Sequence, residues 1–175
     1  LAEAERRAKS TGAPARFLRK DMRSLGFRER FDVVLNLWTS FGYFQKITDD
    51  RRTLNSMRQA LKPGGRLFLE VVDPARFAGG FPQRYWARVG DYWQLEATRM
   101  RLGRDPAMTA ERHYIGLDGQ VRSGRTFVRL YSRRRLRAEL ERAGFSDIEF
   151  SCGLMEDTGK PGLAARILAM ARRPS

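Results

Sequence analysis

The sequence is short of several things that hold proteins together or carry chemistry. Its 175 residues include one cysteine, Cys152, which excludes an internal disulfide and any multi-cysteine zinc site. That scarcity favours a reducing compartment, so a cytoplasmic location is expected, and no metal centre is. His113 is the only histidine. No apolar run approaches the roughly 20 residues that span a bilayer, and no secretory leader is visible, so no membrane partner is expected. Lysine is scarce too: of 34 basic residues, 29 are arginine and 5 are lysine.

The basic surplus leaves a net charge of +14. Phosphate backbones need such a surplus, so nucleic acid is one possible partner. However, the arginines run from Arg6 to Arg173 without forming a block. A bias of that kind along a whole chain fits codon usage better than a binding face. Hydrophobic residues make up 42% of the chain, which suits one domain able to bury about 70% of its unfolded surface.

The order of segments points to an α/β fold. LAEAERRAKSTG reads as a helix, with Leu1, Ala4 and Ala8 on one face and Gly12 as its stop. ARFLRKDM (15–22) reads as a short strand ending in acid. FDVVLNLW (31–38) is apolar on both faces, as a central parallel strand is. DDRRTLNSMRQAL (49–61) is helical, with Leu54, Met57 and Leu61 in register and Thr48 or Asp49 as cap. KPGG then turns the chain into RLFLEVV (66–72). Strand, helix, strand at this spacing predicts a crossover unit and a parallel sheet.

Between Pro74 and Leu130 the pattern changes to Pro, Gly, aromatics and alternation, with a hairpin expected at Asp118-Gly119. Two or three antiparallel strands, over 75–131, are expected as an insertion in a single domain, with Trp86, Tyr92 and Trp93 in its apolar core. The earlier pattern then resumes. Ser132 caps a helix over 133–144, 146–153 is a strand, and 163–173 is a last strand antiparallel to the rest.

Ligands in such sheets sit beyond the carboxyl ends of the strands. Those ends hold Asp21 and Met22, then Asn36 to Ser40, then Glu70 to Asp73. Each has a plain structural reading as well. Asp21 can cap a turn, Asn36 can bond a neighbouring loop, Phe41 and Tyr43 can be core, and Glu70 can pair with an arginine.

ARFLRKDM, FDVVLNLWTSFGYF, LKPGGRLFLEV and LRAELERAGF, in that order, resemble the later half of class I S-adenosylmethionine-dependent methyltransferases, from about Leu1 to Arg173. The pattern is nearest to the small-molecule group with an antiparallel extension, which includes glycine and amino-sugar N-methyltransferases. The resemblance implies a Rossmann-like, mostly parallel sheet, with S-adenosylmethionine as cofactor and a small molecule as acceptor at N or O. It implies that Asp21 accepts from the adenine amino group and that the Met22 N–H meets the ring. It sets Asn36 and Leu37 beside the methionine part of the cofactor. Thr39, Ser40, Phe41 and Tyr43 would lie where cofactor and acceptor meet. His113, the lone histidine of the insertion, and Arg129, near the arginines of 133–135, are further acceptor-side candidates. No catalytic base is assigned.

The family's glycine-rich loop, and the acid that ends its second strand, do not occur in residues 1–175. Leu1 to Gly12 matches the helix after that second strand. The expectation is therefore an N-terminally incomplete domain, with the activity belonging to a longer parent. Two other functions stay open. A nucleic-acid methyltransferase or basic binding module would gather its arginines on one face. A non-catalytic module would complete its site with a partner chain.

Overall fold

A computed structural model describes residues 1–77, 84–153 and 166–175. Residues 78–83 of the expected insertion and 163–165 of the expected last strand lie outside them. The described residues form two four-stranded sheets. The first contains β1 (Phe31–Asn36), β2 (Leu61–Val72), β7 (Ser146–Cys152) and β8 (Arg166–Arg172), in the order β1-β2-β8-β7. β1 and β2 are parallel, and β8 runs antiparallel to both β2 and β7. Three of the four strands therefore point one way. The second sheet is a meander of β3 (Arg84–Val89), β4 (Tyr92–Arg101), β5 (Ala107–Gly116) and β6 (Val121–Arg129), antiparallel throughout.

Alternation along β2 explains how the first sheet holds its helices. Leu67, Leu69 and Val71 point to one face, where they are at most 2% exposed. Across the register, Ile167, Ala169 and Ala171 of β8 continue that face. Leu54 and Met57 of α2 (Ile47–Ala60) and Leu136 and Leu140 of α3 (Arg133–Arg142) pack against it. Each fully buried leucine there contributes roughly 1.5–3 kcal/mol.

Several expectations change. Residues 15–21 run without regular structure and pair with no described strand, so ARFLRKDM is extended but not a strand. β1 is an edge strand among the described residues, not a central one. α2 begins after Lys46, with no side-chain cap, instead of at Thr48 or Asp49. The second sheet has four strands instead of two or three, because Gly90 (φ 58°) turns β3 into β4. α1 (Ala2–Ser10) has no buried residue. Other elements fall as expected: Gly119 (φ 75°) makes the β5–β6 turn, and the Ser132 hydroxyl caps α3 by accepting from the Arg135 N–H at 3.3 Å. No helix among the described residues is long and apolar enough to cross a membrane.

Candidate cofactor site

Where β1 ends, the backbone does something costly. Trp38 and Thr39 both adopt left-handed conformations, with φ of 58° and 56°. For residues with a Cβ this costs on the order of 1–2 kcal/mol each. The surroundings hold the turn in place. The Glu70 carboxylate, at the carboxyl end of β2, accepts from the Trp38 N–H at 2.9 Å. Ser40 folds back on the Leu37 carbonyl, through its N–H at 3.2 Å and its hydroxyl at 2.7 Å. Arg166, opening β8, donates to the same Glu70 oxygen at 2.9 Å. Its guanidinium also lies 4.9 Å from the centre of the Trp38 ring, in cation–π range. Gly153 is a necessary glycine here. A Cβ on it would come 2.7 Å from Arg166 Cβ and 2.9 Å from Glu70 Oε1.

Two side chains at this turn are buried without partners. Asn36 is 8% exposed and Thr39 7%. Among the described residues, neither Asn36 Oδ1 nor Thr39 Oγ1 has a hydrogen-bond partner. Buried polar atoms are nearly always satisfied, and leaving one unmade costs about 1–3 kcal/mol. An amide oxygen and a hydroxyl left open at a strand's carboxyl end are suited to a polar ligand. Trp38 stays 58% exposed above them.

Asp21 lies before the short 3₁₀ turn Met22–Ser24 and caps it, accepting from the Arg23 N–H at 2.9 Å. The Arg23 guanidinium also bonds both carboxylate oxygens, and this pairing pulls the Asp21 carboxyl down to about 2. A carboxylate offers about four acceptor positions, so capacity for a further donor remains. Met22 is half-buried beside it. The turn is fixed to α2: the Ser56 hydroxyl accepts from the Leu25 N–H at 2.8 Å, and the Arg23 guanidinium stacks 4.6 Å over Phe44.

Not all the acceptor-side candidates meet at this turn. Ser40 and Tyr43 do lie on the loop that leaves it, with Tyr43 44% exposed. Phe41 does not face a pocket. It is 1% exposed and packs in the core against Tyr131, with ring centres 5.3 Å apart. Arg129 is also withdrawn from any substrate, being 2% exposed. Its guanidinium donates to Asp50 (3.0 Å), to Asp105 (2.5 and 2.7 Å) and to the Gln45 carbonyl (2.6 Å). His113 sits six residues along β5 from Ala107, the residue paired with Arg129. At about 3.4 Å per residue that is roughly 20 Å from the end of the sheet that meets the loop, and its Nδ1 bonds Ser123 Oγ at 2.7 Å.

The residues sequence reasoning missed are Arg166 and Gly153. Both act through the register of β8 and β7 against β2, which no local pattern encodes. Glu70 was visible as a charge in an apolar strand, and its partner is an arginine.

The second sheet meets the loop through Gly42 and β6. The Arg129 N–H donates to the Gly42 carbonyl at 2.7 Å. Beside this junction a cleft of about 390 Å³ opens, lined by Gln45, Arg99, Thr109, Glu111, Arg125 and Phe127 among others. Several arginines are taken up in ion pairs within the fold. Arg51, Arg112, Arg129, Arg166 and Arg173 pair with Glu139, Glu96, Asp50, Glu70 and Glu29 on separate elements.

Residues 1–65 match the family model described as a methyltransferase domain. No curated protein matches the chain. Solved structures do. An S-adenosylmethionine-dependent methyltransferase from Clostridium acetobutylicum superposes with a TM-score of 0.76 at 15% identity, over 99% of this chain and 71% of that one. The amino pentose methyltransferase CalS10 of Micromonospora echinaspora, a calicheamicin biosynthesis protein solved with S-adenosylmethionine bound, gives 0.64 at 25% identity, over 99% and 71%. A Burkholderia thailandensis 1,6-didemethyltoxoflavin N1-methyltransferase, solved with its acceptor and S-adenosylhomocysteine, gives 0.56 at 16%, over 99% and 57%. The fold is that of the class I methyltransferases.

Proposed function

We propose that this chain, of the class I S-adenosylmethionine-dependent methyltransferase type by family match over residues 1–65 and by fold over its length, serves methyl transfer to a nitrogen or oxygen of a small-molecule acceptor. One observation carries the reading. Among the described residues Asn36 Oδ1 and Thr39 Oγ1 are buried and unpartnered at the carboxyl end of β1, in a turn held against its own conformational preference. Bound there, S-adenosylmethionine supplies an already activated methyl group on a sulfonium centre. The protein's share is then alignment and exclusion of water, not activation.

The roles follow from the donors and acceptors available. Asn36 Oδ1 accepts, and Thr39 Oγ1 donates or accepts, toward the ammonium and carboxylate of the methionine part. Asp21, held ionised by Arg23, accepts from the adenine amino group, and the Met22 N–H donates to the ring. Trp38 and Tyr43 border the acceptor side. The cleft with Gln45, Arg99, Thr109 and Arg125 gives that side a basic, hydrogen-bonding wall. The similarity to an amino pentose methyltransferase and to a 1,6-didemethyltoxoflavin N1-methyltransferase supports a small polar acceptor. The glycine-rich loop of the family does not occur in residues 1–175, so these residues provide the adenine and methionine sides of the site only.

The test is a ¹⁵N chemical-shift titration of the chain with S-adenosylhomocysteine, which detects even millimolar binding. The Asn36, Trp38 and Thr39 amides should move together with Met22. No shift at those four positions at saturating ligand would remove the reading.

A further inference from the structure

Trp38 occupies a position that suits it poorly. Its φ of 58° is one that bulky side chains rarely adopt, and folding alone would favour glycine or asparagine there. Burial does not offset that cost, because the residue is 58% exposed. The other exposed tryptophans differ. Trp86 (70%) and Trp93 (39%) stand in regular strands and lean on each other, with ring centres 5.3 Å apart. We propose that the Trp38 indole is the platform for the methyl acceptor, and that this acceptor is a flat, uncharged ring compound carrying nitrogen or oxygen.

Three observations choose that class. The first is that the ring is held still. The Trp38 N–H donates to Glu70, and Arg166 donates to the same carboxylate oxygen while its guanidinium lies 4.9 Å from the ring centre. The Arg166 and Glu70 side chains are 12% and 3% exposed. The platform is therefore set before a ligand arrives, and little freedom is lost on stacking. The second is what the ring already binds. Arg166 takes one face by cation–π contact, and among the described residues no aromatic ring stacks on Trp38. A cation on the remaining surface would face the guanidinium across the ring and be repelled. An uncharged flat ring meets no such repulsion and gains an offset stack. The third is a waiting donor. Arg166 Nε is buried and, among the described residues, has no hydrogen-bond partner. An N–H so placed suits an oxygen or ring nitrogen of the acceptor.

The proposal rests on the methyl-transfer reading above and adds the chemistry of the acceptor to it. Amines that are cationic at neutral pH are disfavoured on this platform by Arg166. Saturated rings present only C–H bonds to the indole and cannot form the offset stack. Tyr43, 44% exposed on the loop that leaves the turn, gives the acceptor side a second aromatic border.

A ¹⁵N chemical-shift titration of the chain tests it, alongside Trp38→Gly and the conservative Trp38→Phe. Quinoline is the flat, uncharged probe at neutral pH, cyclohexanol the saturated control and tetramethylammonium the cationic one, each added with S-adenosylhomocysteine present. Binding is read from the Trp38 indole N–H in the natural chain and from the Thr39 amide in all three chains. Quinoline should move the Trp38 indole and bind in the millimolar range, roughly tenfold tighter than either control. W38F should keep that preference and W38G should lose it. Glycine relieves the left-handed strain at this position, so W38G should fold with a urea midpoint close to that of the natural chain. A Trp38 indole that quinoline leaves unmoved, controls that bind as well as quinoline, or a preference that survives in W38G overturns the proposal. The methyl-transfer reading fails separately. If S-adenosylhomocysteine moves none of the Asn36, Trp38, Thr39 and Met22 amides while quinoline still binds at Trp38, that reading falls and the ring platform stands.

Discussion

The loop from Asn36 to Asp50 is fixed at both ends by buried charge, and the two ends differ in what they leave unused. At the Asp50 end, Arg129 gives its guanidinium to Asp50, Asp105 and the Gln45 carbonyl. Tyr131 donates to the same Asp50 oxygen at 2.7 Å. One Asp50 oxygen is unbonded, but its sister carries two charge-assisted bonds. At the Asn36 end, Glu70 and Arg166 secure the backbone and the Trp38 ring. They leave the Asn36 amide oxygen and the Thr39 hydroxyl with nothing to bond among the described residues. A network whose donors are consumed internally holds the fold. A turn that is costly to maintain and still leaves buried polar atoms open is the feature on which the proposed ligand site rests.

The comparison predicts its largest effect at the saturated end. Arg129→Met strands Asp50 and Asp105 without their cation, and urea unfolding should show a loss of about 3–5 kcal/mol. Arg129→Lys should recover only part of that, because an ammonium cannot bond both carboxylates and the loop carbonyl in fixed directions. If R129M unfolds within 1 kcal/mol of the natural chain, the network is not the anchor described. Next in size is Gly42→Ala. Gly42 has φ of 94°, and an added Cβ would come 2.7 Å from the Arg129 carbonyl oxygen. Strain and collision together should cost roughly 1–3 kcal/mol by the same measurement.

Much of the framework was legible in the sequence. The β1–α2–β2 unit follows from apolar runs around a 3.6-residue helical pattern. Ser132, Asp118-Gly119 and the antiparallel β8 also stand where the residues suggest. Topology alone marked the carboxyl end of β1 as a candidate ligand position. What failed depended on pairing at a distance. ARFLRKDM has the composition of a strand, but whether an extended segment becomes one depends on a neighbour. Phe41 read as a pocket residue because a loop next to a strand end is usually open, and Arg129 because it stands near the arginines of 133–135. The arrival of β6 and Tyr131 closes over them. Trp86 and Trp93 read as core because the pattern shows that a face is apolar and says nothing about what covers it. The β3–β4 turn was detectable, since Gly90-Asp91 is a common hairpin pair.

At the open end the expected effect moves from stability to binding. Asn36→Leu and Thr39→Val remove polar atoms that bond nothing among the described residues, so unfolding free energy should stay within about 0.5 kcal/mol or rise. S-adenosylhomocysteine affinity, followed by chemical shift or calorimetry, should instead fall roughly tenfold for each lost bond of about 1.4 kcal/mol. A variant that unfolds easily but binds unchanged would reverse the roles of the two ends.

The smallest effect is a pH dependence, and it belongs to the saturated end alone. The hydrogen bonds from Arg129 hold the Asp105 carboxyl below its ordinary range; burial opposes them, and the Arg135 bond adds a smaller pull downward. A group titrating lower when folded than unfolded contributes stability that is present above the unfolded value, near 4. That stability is lost as pH falls through the folded one. Asp50 has the opposite sign, because burial pushes its carboxyl up against the pull of Tyr131 and Arg129. It therefore partly offsets the acid loss as pH falls. Asp105 is 45% exposed on its side chain, so screening limits its share to roughly 0.5–1 kcal/mol. Asp105→Asn should lower the urea midpoint slightly at pH 7, and the gap from the natural chain should close as pH falls below about 4. If the gap is constant across that range, Asp105 acts through packing, and Arg129 is held by Asp50 and the Gln45 carbonyl alone. The orphan pair at Asn36 and Thr39 has no titrating group, so N36L and T39V should leave this acid limb unchanged.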